Sequence, residues 1–208
     1  MEHTRANSKK KNCGTGKTLA FGIPMIQRII SHKGQGLILV PTRELALQVD
    51  QALRQIGSPL GLRTAVVIGG VSQYLQIKDL KRHPHVVVAT PGRLDDLIKQ
   101  RKYELRYVSI ITLDEADRML DMGFIPDMRA ILGATPKSRE TLFFSATMAP
   151  EIKKLVHDFL RDPVTVSVKK KDVTNSIEQD VVPYAYHDKF STLTSLFEDD
   201  EFKRVMIF

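Results

Sequence analysis

The sequence predicts an α/β protein built on a parallel β-sheet with helices on both faces. Two observations carry that expectation. Short apolar, β-branched runs alternate with stretches of helical period five times between residues 36 and 160, and strand–helix alternation with short connections is how parallel strands are joined. The strand runs are also continuous, as in Val108-Ser109-Ile110-Ile111-Thr112-Leu113. Strands read that way when both of their faces are buried.

Taken in order, residues 1–12 are polar, basic and unpatterned, and are expected to be disordered. Gly14-Thr15-Gly16-Lys17-Thr18 then leads into an apolar, helix-like run ending at Ile30. Residues 36–40 read as a strand stopped by Pro41. From Thr42, a suitable N-cap, the period becomes helical, with Leu45, Val49, Leu53 and Ile56 on one face and Gly57 closing the helix. A second strand over 63–68 stops at Gly69-Gly70, and Ser72 opens a helix to Arg82. A third, 86–89, delivers Thr90-Pro91-Gly92-Arg93 and a helix through Gln100. The central strand, 108–113, runs without a turn residue into Asp114-Glu115, and 124–132 reads as a short helix. The fifth strand, 141–144, ends in Ser145-Ala146-Thr147, and 150–160 is a helix with Ile152, Leu155, Val156 and Phe159 on one face.

With 208 residues, 42% of them hydrophobic, the chain can bury a sizeable core. A net charge of +7 and a pI near 9.5 suit a polyanionic partner, although Arg5, Lys9, Lys10 and Lys11 place part of that charge in the tail. The single cysteine, Cys13, excludes an internal disulfide and fits a reducing compartment. No apolar run approaches a membrane span, and residues 1–12 lack the apolar core of a signal peptide. A cytoplasmic or nuclear location is expected.

In an open α/β sheet, ligands sit beyond the carboxyl ends of the strands. Asp114 and Glu115 would be delivered there, where one acid can hold a hydrated Mg²⁺ and the other can orient or deprotonate a water for attack on a phosphoryl group. The plainer reading is an acidic first turn of a helix. Glycines 14 and 16 would let backbone N–H groups turn toward a phosphate, with Lys17 reaching the β and γ phosphates and the Thr18 hydroxyl on Mg²⁺. The remaining strand ends, Pro41-Thr42-Arg43, Gly69-Gly70, Thr90-Pro91-Gly92-Arg93 and Ser145-Ala146-Thr147, each have a plain explanation as caps, turns or solvated arginines. Their convergence on one edge suits a sugar-phosphate backbone, which needs donors and positive charge.

These stretches, with Pro41-Thr42-Arg43-Glu44-Leu45-Ala46 and Asp114-Glu115-Ala116-Asp117, resemble the ordered motifs of the first RecA-like domain of DEAD-box ATP-dependent RNA helicases. The resemblance covers roughly residues 14–169. It implies a RecA-like P-loop fold, with ATP and Mg²⁺ as cofactors. Gly14, Thr15, Gly16, Lys17 and Thr18 would bind the nucleotide, Thr18 and Asp114 the metal, and Glu115 would activate the attacking water, with Asp114 and Lys17 sharing the catalytic work. Thr42, Arg43, Gly70, Thr90 and Arg93 would line the path of a single-stranded or duplex RNA backbone. Asp117, Ser145 and Thr147 would couple nucleotide state to RNA.

Three departures qualify the resemblance. Where the family has a buried strand before the phosphate loop, this chain has Ala6-Asn7-Ser8-Lys9-Lys10-Lys11, so a gap in the sheet with unpaired backbone on two neighbours is expected. The upstream adenine-reading segment has no counterpart. At the other end, 170–187 resembles the linker to the second domain, and 188–208 a stub of a second RecA-like domain, with a helix over 189–197 and a strand over 204–208. The expected organisation is therefore a basic tail (1–12), the ATP-binding domain (13–169), the linker and the stub.

The parent reaction would be ATP hydrolysis coupled to local RNA duplex opening, by a monomer whose active site is completed by the second RecA-like domain. The 208-residue chain alone is expected not to unwind RNA. Two alternatives stay open: a catalytically inactive RNA- or partner-binding module, and a DNA-directed translocase of related architecture, since 2′-OH contacts are not legible in sequence.

Overall fold

The computed structural model describes residues 15–167, 181–183, 188–197 and 205, which fall into two compact units divided after Pro163. In chain order the first unit runs α1 (Thr15–His32), β1 (Gln35–Leu39), α2 (Arg43–Gly57), a 3-10 turn (Ser58–Leu60), β2 (Thr64–Val67), α3 (Gln73–Leu80), β3 (Val86–Ala89), α4 (Pro91–Lys99), β4 (Val108–Leu113), α5 (Ala116–Asp121), α6 (Ile125–Ala134), β5 (Glu140–Phe143) and α7 (Pro150–Phe159). The described part of the second unit holds α8 (Lys189–Leu196), where a helix was expected. The expected strand at 204–208 and most of the linker lie outside the described residues.

All five strands are parallel, in the order β2-β3-β1-β4-β5. Side chains alternate across each strand, and both faces are covered. On one face Leu37, Leu39, Val87, Ala89, Ile111 and Leu113 pack with residues of α3 to α7. On the other, Ile38, Val40, Val86, Val88 and Ile110 pack with α1 and α2. Burying each such Leu or Ile side chain contributes roughly 1.5–3 kcal/mol, which explains why the strand sequences are almost wholly apolar. Gly36 shows how closely α1 approaches the sheet, because a Cβ there would lie 2.6 Å from Met25 Sδ.

The strands and helices predicted within the described residues are present, with ends shifted by a residue or two and more at the ends of α1. One helix, α5, was not anticipated as a separate element. Six residues are too few to show a period, and the turn at Gly123 (φ +79°) separates it from α6.

The expected gap in the sheet is not found among the described residues. β4 pairs on both sides, with β1 and with β5, and β5 forms the outer edge. Open strand sides are therefore confined to the two outer edges, β2 and β5, with none in the interior. The reason lies in strand order: the last strand in sequence takes the outside position next to β4, so the sheet closes up without an interior vacancy.

Candidate functional site

Strand register builds the site. Val67 pairs with Ala89, Ala89 with Leu39, Leu39 with Leu113, and Leu113 with Phe143, so all five strands end on one line. The ladder runs one step further, with Thr90 N–H donating to Val67 O, Val40 N–H to Ala89 O, Asp114 N–H to Leu39 O and Phe144 N–H to Leu113 O, all at 2.8–3.0 Å. The chain leaves the sheet at Ile68, Thr90, Val40, Asp114 and Phe144 from fixed points. Strand order then sorts the predicted residues into two groups. Gly70, Thr90, Arg93, Thr42 and Arg43 follow β2, β3 and β1, whereas Asp114, Glu115, Asp117, Ser145 and Thr147 follow β4 and β5.

In the second group, Asp114 is only 3% exposed and its Oδ1 accepts the N–H of Glu115 at 3.0 Å. Burial raises its pKa above the ordinary carboxylate value, and Glu115 and Asp117 push the same way, while the Lys17 ammonium and the Glu115 N–H oppose them. Lys17, at the start of α1, therefore acts electrostatically on Asp114. The first turns of α1 are pinned nearby, with the Phe21 and Phe144 rings 5.4 Å apart. Arg28 of the same helix pairs with Glu140 of β5 at 3.1 Å. Thr18 is buried and Gly16 and Lys17 are exposed, while Gly14 and the Thr15 side chain lie outside the described residues.

Glu115 has left-handed backbone (φ 53°, ψ 49°), a conformation that costs a non-glycine residue about 1–2 kcal/mol. Its side chain is 30% exposed and paired with Arg118 at 3.3 Å. One carboxylate is thus buried and the other half-buried, from adjacent positions.

Asp117 connects β4 to β5. Its Oδ2 accepts the N–H groups of Ala146 (3.1 Å) and Thr147 (3.0 Å) and the Thr147 hydroxyl (3.3 Å). Its Oδ1 accepts the N–H of Arg118 at 3.1 Å. The Ser145 hydroxyl donates to Thr147 O at 2.7 Å and closes the same turn.

In the first group, Thr42 caps α2, its Oγ1 accepting the N–H of Leu45 at 3.2 Å. Thr90 sits at the N-cap of α4 without such a bond and is buried. Gly70 has φ +71°, and a Cβ there would lie 2.2 Å from Arg43 Nη1, so the Arg43 guanidinium rests against this glycine. Arg93 Nη1 donates to Val71 O at 3.2 Å. Two arginines from different helices thus converge on the loop that follows β2.

Residues 10–155 match the family described as DEAD/DEAH box helicase. The chain belongs to the DEAD/DEAH box helicase family. It is 44% identical over 188 residues to the ATP-dependent RNA helicase CshA of Limosilactobacillus reuteri, a match covering 89% of this chain and 38% of that protein. It is also 44% identical over 188 residues to the DEAD-box ATP-dependent RNA helicase CshA of Geobacillus kaustophilus, covering 40% of that protein. A solved structure, a hypothetical ATP-dependent RNA helicase from Sulfolobus tokodaii, superposes with a TM-score of 0.67 at 41% identity over 72% of this chain and 44% of that one. The chain spans about two fifths of the length of the curated relatives it matches.

Within this helicase-family domain, sequence reading missed Gln76 and Arg118. Arg118 had a usable signal, standing three residues after Glu115 on a helix, a spacing at which side chains meet. Gln76 had none, because its partners are backbone atoms eight residues away. A groove of about 610 Å³ beside α7, lined by residues including Met148, Val156, His157 and Leu160, contains none of the predicted site residues. Among the described residues no helix is long and apolar enough to cross a membrane.

Proposed function

We propose that this chain is the ATP-binding half of an RNA helicase engine, in which ATP hydrolysis is coupled to local opening of an RNA duplex. The observation that supports it best is the register of the five strand ends, which sets a buried carboxylate beside a phosphate-loop lysine on one half of an edge and two arginines with a glycine turn on the other. The proposed nucleotide site is Gly14 to Thr18, with Lys17 against the phosphates. Thr18 and Asp114 offer only oxygen donors, a hard set that suits Mg²⁺, and a cation that keeps water and phosphate oxygens needs few protein ligands. Bound Mg²⁺ would supply positive charge against the transferring phosphoryl group. Glu115, half-buried and paired with Arg118, would accept a proton from water. Arg118 holds it to one side until substrate competes for it.

Thr42, Arg43, Gly70, Thr90 and Arg93 are the proposed RNA contacts. They present cations, hydroxyls and backbone at helix N-termini, which recognise phosphates and sugars and carry no base preference. Asp117 with Ser145 and Thr147 is the proposed relay between the two halves. We place the ATP-binding domain at residues 13–169, followed by a linker and the start of a second RecA-like domain that completes the site in a cytoplasmic monomer. The 208-residue chain would bind ligands without unwinding a duplex.

The deciding experiment is a thermal melt of the purified chain with and without Mg²⁺-ATP, repeated on Lys17→Ala. A ligand at ~100 times its dissociation constant adds about 2.7 kcal/mol to the folded state. A rise in Tm with Mg²⁺-ATP that Lys17→Ala abolishes is the expected result. A cooperative melt that ATP leaves unmoved would overturn the nucleotide reading in favour of a nucleotide-independent binding module.

A further inference from the structure

We propose that Gln76 is a positioning residue for RNA-backbone recognition, acting by locking the Gly69-Gly70 loop onto which Arg43 and Arg93 converge. The inference rests on the reading of that sheet edge as the RNA path. Gln76 lies on α3 and is 5% exposed. Its Nε2 donates to Ile68 O at 2.9 Å, and its Oε1 accepts the N–H of Ile68 at 3.1 Å. Because Val67 O faces β3, where it accepts the Thr90 N–H, the N–H and C=O of Ile68 point the other way, to the open side of an edge strand. A carboxamide has the same donor and acceptor as a peptide group. Gln76 therefore serves as a one-residue partner strand and satisfies two buried backbone groups on the side of β2 away from β3.

The loop from Gly69 to Gln73 is closed at its base by this pair of bonds. Its far side is held by Arg93, through Val71 O, and by Arg43, which lies against Gly70. A second tie, Gln73 Nε2 to Gln100 Oε1 at 2.9 Å, fastens the start of α3 to the end of α4. With the base free, the turn could swing and the two arginines would lose their common support. The expected consequence is weaker binding of a phosphate backbone with nucleotide binding unchanged.

Gln76→Glu supplies a test with a built-in reversal. It keeps the shape of the side chain, but a carboxylate cannot donate to Ile68 O and sets two acceptors face to face. The protonated acid regains the donor, and burial raises the pKa of such a group. Affinity for a fluorescein-labelled single-stranded oligouridylate would be measured for the parent and the variant at pH 8 and pH 5.5, with melts and Mg²⁺-ATP binding in parallel. The expected result is a loss of about tenfold at pH 8, the equivalent of one to two hydrogen bonds, that disappears at pH 5.5. Gln76→Met, which can make neither bond, should show the loss at both pH values. Equal RNA affinity of parent and folded Gln76→Glu at pH 8, or a loss that pH 5.5 does not reverse, would overturn the proposal. If the parent itself fails to bind RNA, the RNA reading falls instead. Amide exchange across residues 68–71, corrected for intrinsic rate, then decides the locking role, which faster exchange in Gln76→Met supports and unchanged exchange refutes.

Discussion

The carboxylate of Asp117 accepts two hydrogen bonds from Thr147, one from its backbone N–H at 3.0 Å and one from its hydroxyl at 3.3 Å. The acid lies in the first turn of α5, after β4, and the threonine follows β5, so this contact ties the start of α5 to the loop beyond β5. Burial works against ionisation of Asp117, but bonds from Arg118, Thr147 and Ala146 outweigh it and hold the carboxyl below its ordinary value. A depressed folded-state pKa contributes stability that is present above the ordinary carboxylate value and is lost as pH falls through the depressed one. Asp117→Asn, which turns a donor toward donors, should lower Tm at pH 7 by a few degrees, and melts between pH 7 and pH 3 should show that deficit shrinking. A deficit independent of pH would mean that the charge is not what holds the loop.

Asp114 has the opposite sign. Its pKa is raised by burial, so the folded chain retains this proton to higher pH than the unfolded chain does, and the charged form is a cost above that range. Asp114→Asn should therefore raise the Tm of the ligand-free protein at pH 8 while abolishing the shift caused by Mg²⁺-ATP. Stabilisation with loss of ligand response marks a functional charge held at a cost. A variant less stable than the parent at pH 8 would assign Asp114 a structural role.

Gly70→Ala tests the other half of the edge. Left-handed backbone costs an alanine about 1 kcal/mol or more, equivalent to a fall of roughly 2–4 °C in a chain of this size. The added Cβ would also displace the Arg43 guanidinium from its place 2.2 Å away. RNA affinity should drop more than stability accounts for, and removing the Arg43 side chain in the same background should add little further loss. Additive losses would separate the two residues.

Much of this was legible in the sequence. The strands β1, β3 and β4 announced themselves because both of their faces are buried and they are almost uninterrupted apolar runs. The position of the acids at the end of β4 followed from the lack of any turn residue between Leu113 and Asp114. Sheet order was not legible, because every crossover between the strands is helical, and the sequence does not say which strand lies beside which. That is why a gap flanked by two unpaired neighbours was expected where the described sheet is continuous from β2 to β5. Nor was the role of Gln76, since a side chain that bonds the main chain leaves no partner residue to notice.

The α4–α6 contact offers a prediction independent of any ligand. Asp127 of α6 faces Asp95, Asp96 and Lys99 of α4, and Lys99 is itself paired with Asp95. Burial first, then the Asp95 charge, raise the Asp127 pKa against the pull of Lys99, and a hydrogen bond with Asp95 favours the protonated acid. The folded chain therefore holds a proton here above the pH at which the unfolded chain releases it. Stability falls as pH rises from the ordinary carboxylate value through the raised one. Asn keeps a donor for Asp95 and carries no charge, so Asp127→Asn should melt higher than the parent at pH 7, and the two should converge near pH 3.5. α4 begins at Pro91 and carries Arg93, so the same comparison read by RNA binding asks whether this acid pair reaches the proposed backbone site. A gain in Tm at pH 7 with RNA affinity unchanged would confine the pair to helix packing, whereas a change in both would connect the α4–α6 interface to Arg93 and the Gly69-Gly70 loop.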